Sequence, residues 1–188
     1  MYTTWQELEE NCMKCQRCGL CKTRNNLVFG VGNRNAKIMF VGEGPGENED
    51  LQGEPFVGNS GKLLDKYLEV FDLNRHENIY IANIVKCRPP HNREPNEEEM
   101  QACIFWLRNQ VKLIKPKFIV CLGKVAATKI ISSDFKVTKQ HGEIVERNGT
   151  YLMGTYHPSA LLRNPALKVS ALEDMQKLRE ALAMQGNI

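Results

Sequence analysis

The stretch Ala36-Lys37-Ile38-Met39-Phe40-Val41-Gly42 is a short apolar run ending in glycine, and it decides the fold because three later segments repeat its pattern. The repeats lie at residues 79–85, 118–123 and 151–156. Apolar runs of this length, bounded by turn residues, are typical of strands buried on both faces of a parallel sheet. We therefore predict four core strands.

Segments with helical spacing of apolar residues separate and follow these runs. Residues 61–71 and 97–114 carry apolar side chains every three or four positions, and a last helix is predicted over 170–184. The polar stretch from 137 to 150 is typical of a hairpin. Together the elements predict an α/β fold, a single-domain sandwich over residues 1–188 with a central, mostly parallel four-stranded sheet flanked by helices. In such folds ligands bind beyond the carboxyl ends of the strands.

The composition is that of an ordinary globular protein. Of the 188 residues, 42% are hydrophobic and 25% are charged, which excludes disordered and fibrous classes. The formal net charge of +3 permits contact with nucleic acid without indicating it. No apolar run is long enough to span a bilayer, and the first ten residues are acidic, unlike a secretion signal. We expect a cytoplasmic protein with no membrane partner.

The cysteines indicate a metal or cluster site. Four of the seven, each separated by two residues, crowd an N-terminal segment at about residues 10–30: Cys12, Cys15, Cys18 and Cys21. The other three are Cys87, Cys103 and Cys121. In a reducing cytosol this spacing favours metal binding over disulfides or free thiols. Cys121 lies in an apolar run and is interpreted as a core side chain. On spacing alone, a structural Zn²⁺ and an iron–sulfur cluster both stay open.

Distinctive residues follow the predicted strand ends. The glycine-rich turn 42–50 fits neither a dinucleotide fingerprint nor a P-loop, which argues against nucleotide-dependent enzymes. Phe56 lies in a Gly/Pro-rich loop, where an aromatic ring is suited to stacking on a ligand. The amide of Asn83 offers a donor and an acceptor to a planar ligand, although a purely structural asparagine fits the same position. His157 follows the fourth run.

Taken jointly, four loop segments resemble one family. They read Gly-Glu-Gly-Pro-Gly-Glu-Asn-Glu-Asp, Gly-Glu-Pro-Phe-Val-Gly, Asn-Ile-Val-Lys-Cys-Arg-Pro-Pro and His-Pro-Ser-Ala-Leu-Leu-Arg. In order and approximate spacing they are similar to the family 4 uracil-DNA glycosylases, the iron–sulfur branch of that superfamily, from about Cys15 to about Arg163. The resemblance implies a DNA repair enzyme that hydrolyses the N-glycosidic bond of deoxyuridine, releases free uracil and leaves an abasic site.

The resemblance also implies which cysteines are ligands. In that family the cluster is held by Cys-x-x-Cys followed, after a long gap, by two cysteines with fifteen residues between them, as Cys87 and Cys103 have here. The position of the family's second ligand before a leucine and a Val-Phe-Gly turn matches Cys18, so Cys15 completes the set. The implied cofactor is a [4Fe–4S] cluster with a structural role, structural zinc being the alternative. Cys12 and Cys21 are extra.

The resemblance to the family also implies a role for each of the distinctive loop residues. Phe56 stacks on uracil, the Asn83 amide pairs with its O4 and N3 edge, and Glu49 excludes thymine near C5. His157 donates a hydrogen bond to the charge that develops on uracil O2. Leu161 is placed like the wedge residue that fills the space left by the flipped nucleotide.

One position departs from the related glycosylases, which have an aspartate where this chain has Gly44. Gly44 is still expected beside the uracil, and the water-positioning group is then Glu43, with Asn92 a weaker candidate. Backbone amides and Arg163 are expected to contact phosphate. The further cations near this region of the sequence are Lys86, Arg88 and Arg93.

The expected partner is uracil-containing DNA, and a replication clamp is a candidate second partner. We expect the protein to be a monomer in the cytoplasm of a prokaryote, associated with the nucleoid. Two alternatives stay open. One is a superfamily variant that traps the abasic sugar covalently with a histidine, for which His91 lies in roughly the right region but without the basic insertion that accompanies it. The other is a non-catalytic, cluster-bearing nucleic-acid-binding module.

Overall fold

The computed structural model describes residues 2–186. Within them, six strands form one mixed sheet: β1 (Val31–Gly32), β2 (Ile38–Gly42), β3 (Ile79–Asn83), β4 (Phe118–Leu122), β5 (Ile144–Arg147) and β6 (Thr150–Thr155). Their order across the sheet is β1-β3-β2-β4-β6-β5. The four central strands are parallel, whereas β1 and β5 pair antiparallel to their neighbours.

The prediction of four strands is wrong in number, although all four predicted core strands are present. Both missed strands lie at the sheet edges, where the pattern of burial is weak. β1 has two half-buried residues and β5 is mostly exposed, so neither carries a continuous apolar run. The predicted hairpin is partly confirmed, since β5 turns into β6 at Asn148 and Gly149, both with positive φ. Residues 137–140 of that stretch form a helix instead.

Helices cover both faces of the sheet. They are α1 (Trp5–Met13), α2 (Glu47–Gln52), α3 (Asn59–Val70), α4 (Glu97–Ile114), α5 (Lys124–Ile130), α6 (Val137–Gln140), α7 (Pro158–Arg163) and α8 (Lys168–Met184). The three helices predicted from spacing are confirmed as α3, α4 and α8. The start of α4 is fixed by a capping box, in which Asn96 accepts from the Glu99 amide and the Glu99 carboxylate accepts from the Asn96 amide. None of the helices among residues 2–186 is long and apolar enough to cross a membrane.

The sheet separates two apolar layers. Along β2, Met39 and Val41 face a cluster shared with α1, α4 and α5, whereas Ile38 and Phe40 face a cluster shared with α3 and α8. Full burial of a side chain such as Phe40 stabilises the fold by about 1.5–3 kcal/mol. Burial on both faces explains why these strands read as continuous apolar runs.

The parallel strands end in register at one edge of the sheet. Gly42, the last residue of β2, is the partner of Asn83, the last residue of β3. β4 and β6 end beside them at Leu122 and Thr155, which also pair. The loops after these strands therefore converge on one place, as predicted for a doubly wound sheet.

Candidate active site

A cleft of about 840 Å³ opens at the carboxyl edge of the sheet. The loops after β2, β3, β4 and β6 form its walls. The predicted site residues that line it are Glu43, Gly44, Glu49, Phe56, Asn83, Asn92, His157 and Arg163. The structure thus brings together side chains that lie more than 100 positions apart in the sequence.

Asn83 presents an unused hydrogen-bonding group to this cleft. It is 2% exposed, and its Oδ1 is the only buried side-chain nitrogen or oxygen in residues 2–186 that lacks a hydrogen-bond partner. An unpaired buried acceptor costs about 1–3 kcal/mol, which a ligand donor would recover. A Cβ on Gly42 would lie 2.5 Å from this oxygen and 2.6 Å from the Phe56 ring. The glycine is therefore required for the close approach of both side chains.

Phe56 is held in a constrained conformation. Its φ is +54°, a region that non-glycine residues rarely adopt, and its ring centroid lies 5.6 Å from that of His157. The Arg75 guanidinium, 7% exposed, donates to the Phe56 carbonyl at 2.7 Å and to Asp65 at 2.8 Å. Sequence reasoning missed this arginine because nothing in its local pattern shows that it reaches the loop some twenty residues earlier. Arg75 thus holds the backbone that carries the ring that would stack on a ligand.

Glu49 joins two loops of the cleft. One carboxylate oxygen accepts from the backbone amides of Val57 and Gly58 at 2.9 and 2.8 Å, and the other accepts from Gly46 at 3.1 Å. Three N–H donors keep this side chain in one orientation. A group held so firmly is suited to excluding bulk by shape, which is the role predicted for Glu49.

His157 presents a neutral ring with a defined tautomer. Its Nδ1 accepts from the Ser159 amide at 3.1 Å, so the ring proton resides on Nε2. Burial, together with the positive charge of Arg163, lowers the pKa of His157 to about 4. At neutral pH the ring is therefore an uncharged Nε2–H donor next to Phe56.

Glu43 and Asn92 line the same cleft near Gly44. Burial and the nearby Glu94 raise the pKa of the Glu43 carboxyl, which makes its ionised form a better proton acceptor. Asn92 Oδ1 accepts from Arg88 Nε at 2.7 Å, which leaves its amide N–H groups available. A Cβ on Gly44 would lie 2.7 Å from a methyl group of Val85, so an aspartate there would require either Val85 or the backbone to shift.

The cations near the cleft differ in their availability to DNA. Arg163 is exposed at its rim, whereas Arg88 pairs with Glu47 at 3.6 Å and Arg93 with Glu99 at 2.7 Å. Lys86, which lies nearby in the sequence, is fully buried and is not available for a phosphate contact. Phosphate contacts need side chains at the surface.

Leu161, the residue expected to act as the wedge, is buried in the structure. Leu161 is 3% exposed and packs with Tyr156 and Ala171 against α3 and α8. Leu162, the next residue of α7, is 45% exposed. Adjacent helix positions point about 100° apart, which allows Leu161 to face the core while Leu162 faces solvent.

Five cysteines meet in a second, smaller pocket. They are Cys15, Cys18, Cys21, Cys87 and Cys103. Cys12 is buried against them, whereas Cys121 lies inside β4, as predicted for a core side chain. The other lining residues that the structure describes include Arg17, Arg24 and Lys86 but no carboxylate and no histidine. Among residues 2–186, no group of three or more histidine, cysteine, aspartate or glutamate side chains is arranged to hold a single metal ion.

Three of these sulfurs accept N–H hydrogen bonds. Trp106 Nε1 donates to Cys15 at 3.2 Å, Arg24 Nη1 to Cys87 at 3.1 Å, and the Lys86 backbone amide to Cys103 at 3.2 Å. Such bonds favour thiolates and tune iron–sulfur centres. The pocket thus combines thiols, which can bind a metal cluster as thiolates, with N–H donors and cations, which stabilise the negative charge of such a group.

Lys86 connects this pocket to the cleft. Its side-chain ammonium donates to the Asn83 carbonyl at 3.0 Å and to Gln110 Oε1 at 2.7 Å. Burial lowers its pKa to about 8, an effect opposed by attraction to Cys103, Cys12 and Cys87. No sequence signal pointed to this arrangement, because lysine is rarely buried.

Comparison with known proteins gives a consistent result. Residues 29–183 match the model of the uracil DNA glycosylase superfamily. A type-4 uracil-DNA glycosylase of Archaeoglobus fulgidus is 46% identical over 176 residues, covering 89% of this chain and 88% of its own length. One from Thermotoga maritima is 42% identical over 193 residues, covering 99% and 100%. One from Saccharolobus solfataricus is 42% identical over 179 residues, covering 90% and 82%.

Proposed function

The chain belongs to the type-4 uracil-DNA glycosylases of the uracil DNA glycosylase superfamily, and we propose that it excises uracil with the cleft residues described above. The observation that carries the assignment of residues is the unpartnered Asn83 Oδ1, buried at the bottom of the cleft beside Phe56. Uracil N3–H is a donor that would satisfy this acceptor, and the amide N–H of Asn83 would donate to O4. Cytosine presents the opposite pattern and is rejected.

The base must leave the DNA stack to reach Asn83. Flipping costs a few kcal/mol, and a side chain inserted into the vacated space would offset part of this cost. We assign the wedge to Leu162 rather than Leu161, because only Leu162 is exposed on α7. Arg163, next to it, would hold a flanking phosphate.

Bond cleavage moves an electron pair from the C1′–N1 bond onto the uracil, where His157 Nε2–H would donate to the charge on O2. Water then adds its oxygen to C1′ and gives a proton to Glu43. The raised pKa of the Glu43 carboxyl supports this role, and the free amide of Asn92 would orient the same water. No lysine nucleophile is required, so the activity is monofunctional.

For the cysteine pocket we propose a [4Fe–4S] cluster held by Cys15, Cys18, Cys87 and Cys103. The thiol donors, the three N–H bonds to sulfur and the absence of carboxylates among the described lining residues support a thiolate-bound group. When bound, the cluster supplies a structural cross-link between the N-terminal segment and α4. Cys21 lines the same pocket and lies outside the proposed set.

A single assay tests the reaction. The purified protein is incubated with an oligonucleotide carrying one deoxyuridine and then treated with alkali, with the thymidine oligonucleotide as control. We expect strand scission at uracil only. We also expect the protein to act on DNA as a monomer. A protein–DNA adduct stable to denaturation would indicate the trapping variant with His91. Retention of DNA without scission would indicate a binding module.

The wedge assignment predicts opposite effects of two neighbouring substitutions. Leu162→Ala should change stability by no more than about 0.5 kcal/mol but slow excision from duplex DNA roughly tenfold, with little effect on single strands. Leu161→Ala should destabilise the fold by about 2–5 kcal/mol, because it opens a cavity in the core. Thermal melts and excision rates on both substrates are the measurements. A duplex-specific defect in Leu161→Ala, with Leu162→Ala active, would reverse the assignment.

The cluster assignment predicts a brown protein containing about four irons and no stoichiometric zinc. Cys12→Ala and Cys21→Ala should keep the visible absorbance, whereas Cys87→Ala should lose it together with solubility. Metal analysis and absorbance spectra check both statements. Bleaching by Cys21→Ala but not by Cys15→Ala would show that the ligand register is shifted, and a colourless, fully active zinc protein would refute the cluster.

A further inference from the structure

Lys86 is a buried cation whose hydrogen-bond partners are neutral. The side chain is 0% exposed, and its ammonium donates to the Asn83 carbonyl and to the Gln110 side chain. Gln110 is itself fully buried and donates to the Phe29 carbonyl at 2.9 Å. Carbonyl oxygens satisfy the N–H donors, but they leave the charge uncompensated.

In most proteins a carboxylate would compensate a cation at this depth. None of the ion pairs in the described part of the chain includes Lys86. The ionisable groups around it are the sulfurs of Cys12 on α1, Cys87 after β3 and Cys103 on α4. A buried charge without an opposite charge is strongly destabilising. Neutral thiols cannot offset this cost, whereas metal-bound thiolates can.

The other cations of the pocket are in a different position. Arg17 is exposed and Arg24 is only partly buried, so water screens their charge. Lys86 has no such screening, and electrostatic interactions are stronger in a water-free interior. Arg24 contacts the Cys87 sulfur directly, but among the pocket's cations in residues 2–186 Lys86 is the one whose charge is fully removed from solvent.

We propose that Lys86 is a positioning residue that compensates the negative charge of the thiolate-bound cluster and, through its bond to the Asn83 carbonyl, fixes the end of β3 that carries the uracil-reading amide. This inference rests on the cluster proposed above. The same ammonium thus couples the cysteine pocket to the cleft. Through this contact, a cluster outside the cleft would influence base recognition without taking part in the reaction.

The test compares the purified holoprotein with Lys86→Met and Lys86→Arg, which remove and keep the charge, and with Lys37→Met as a control at an exposed lysine. Three quantities are measured: iron content, the reduction potential of the cluster by protein-film voltammetry, and the affinity for free uracil by calorimetry. Lys86→Met should lower the potential, because a nearby cation favours the more negative, reduced state, and should weaken uracil binding several-fold. Lys86→Arg should keep the wild-type potential, and Lys37→Met should change neither quantity.

An iron-loaded Lys86→Met protein with wild-type potential and uracil affinity would overturn the inference. If Lys86→Met contains no iron while Lys86→Arg is fully loaded, the charge requirement is supported. Loss of iron from both variants would overturn it, because side-chain shape rather than charge would then be needed. Absence of iron from the wild-type protein would instead refute the proposed cofactor, which separates the two failures.

Discussion

His157→Ala should lower the single-turnover rate of uracil excision by roughly 10²-fold or more, equivalent to about 2.7 kcal/mol of transition-state stabilisation. The structure gives the physical reason. Ser159 occupies Nδ1, which leaves the ring proton on Nε2, and burial keeps the ring neutral. A preorganised neutral donor acts mainly when negative charge develops on O2, so its removal affects the chemical step more than DNA binding.

Two measurements separate this role from a purely structural one. Single-turnover rates at saturating enzyme report the chemical step, and DNA affinity of the same variant reports binding. If His157 only shapes the turn before α7, His157→Ala would weaken folding or DNA binding and leave the chemical step nearly intact. Ser159→Ala serves as a matched control, since it removes the hydroxyl at 2.8 Å from Nδ1 but keeps the backbone donor.

The lowered pKa of His157 also predicts the pH dependence. With a folded pKa of about 4, the ring stays neutral when the pH rises through the usual histidine range near ~6.5. The rate should therefore be flat with respect to His157 from about pH 5.5 to 8. A tenfold fall across that interval, absent in His157→Ala, would show that the imidazolium is the donor.

The fold was predictable where burial leaves a continuous trace in the sequence. β2, β3, β4 and β6 are covered on both faces, so each reads as an apolar run, and α4 begins at the capping box of Asn96. The edge strand β5 was predicted only as part of a hairpin and not as a strand of the sheet, because its mostly exposed side chains carry no such run. A local sequence pattern thus predicts an element when the burial of its side chains follows one regular pattern along its whole length.

The sequence predicts which residues form the site, but not which of their side chains are buried and which are exposed. Loop motifs identified Phe56, Asn83 and His157, and the parallel register brings them together. The burial of Lys86 depends on Gln110, 24 residues further along the chain, and no local pattern shows this contact. Likewise, two adjacent leucines of α7 are equivalent in sequence, and only the packing of the helix decides which one is exposed.

Asn83→Asp should relax discrimination toward cytosine. At 2% exposure, burial raises the pKa of a carboxyl in this position and favours its protonated form, whereas the nearby Lys86 ammonium opposes this effect. A protonated carboxyl donates to cytosine N3 and accepts from its amino group, which is the pattern the wild-type amide cannot offer. Uracil removal should fall at the same time, because a mismatched polar edge leaves buried groups unpaired.

The substrates for this test are single-stranded oligonucleotides carrying one uracil or one cytosine, so that base pairing does not limit access. Asn83→Leu is the matched control, since it keeps the side-chain size but removes both the donor and the acceptor. It should lose uracil activity without gaining cytosine activity. If Asn83→Asp removes uracil at a near wild-type rate and leaves cytosine untouched, Asn83 is not the reading group. The unpartnered oxygen at the end of β3 would then need another ligand.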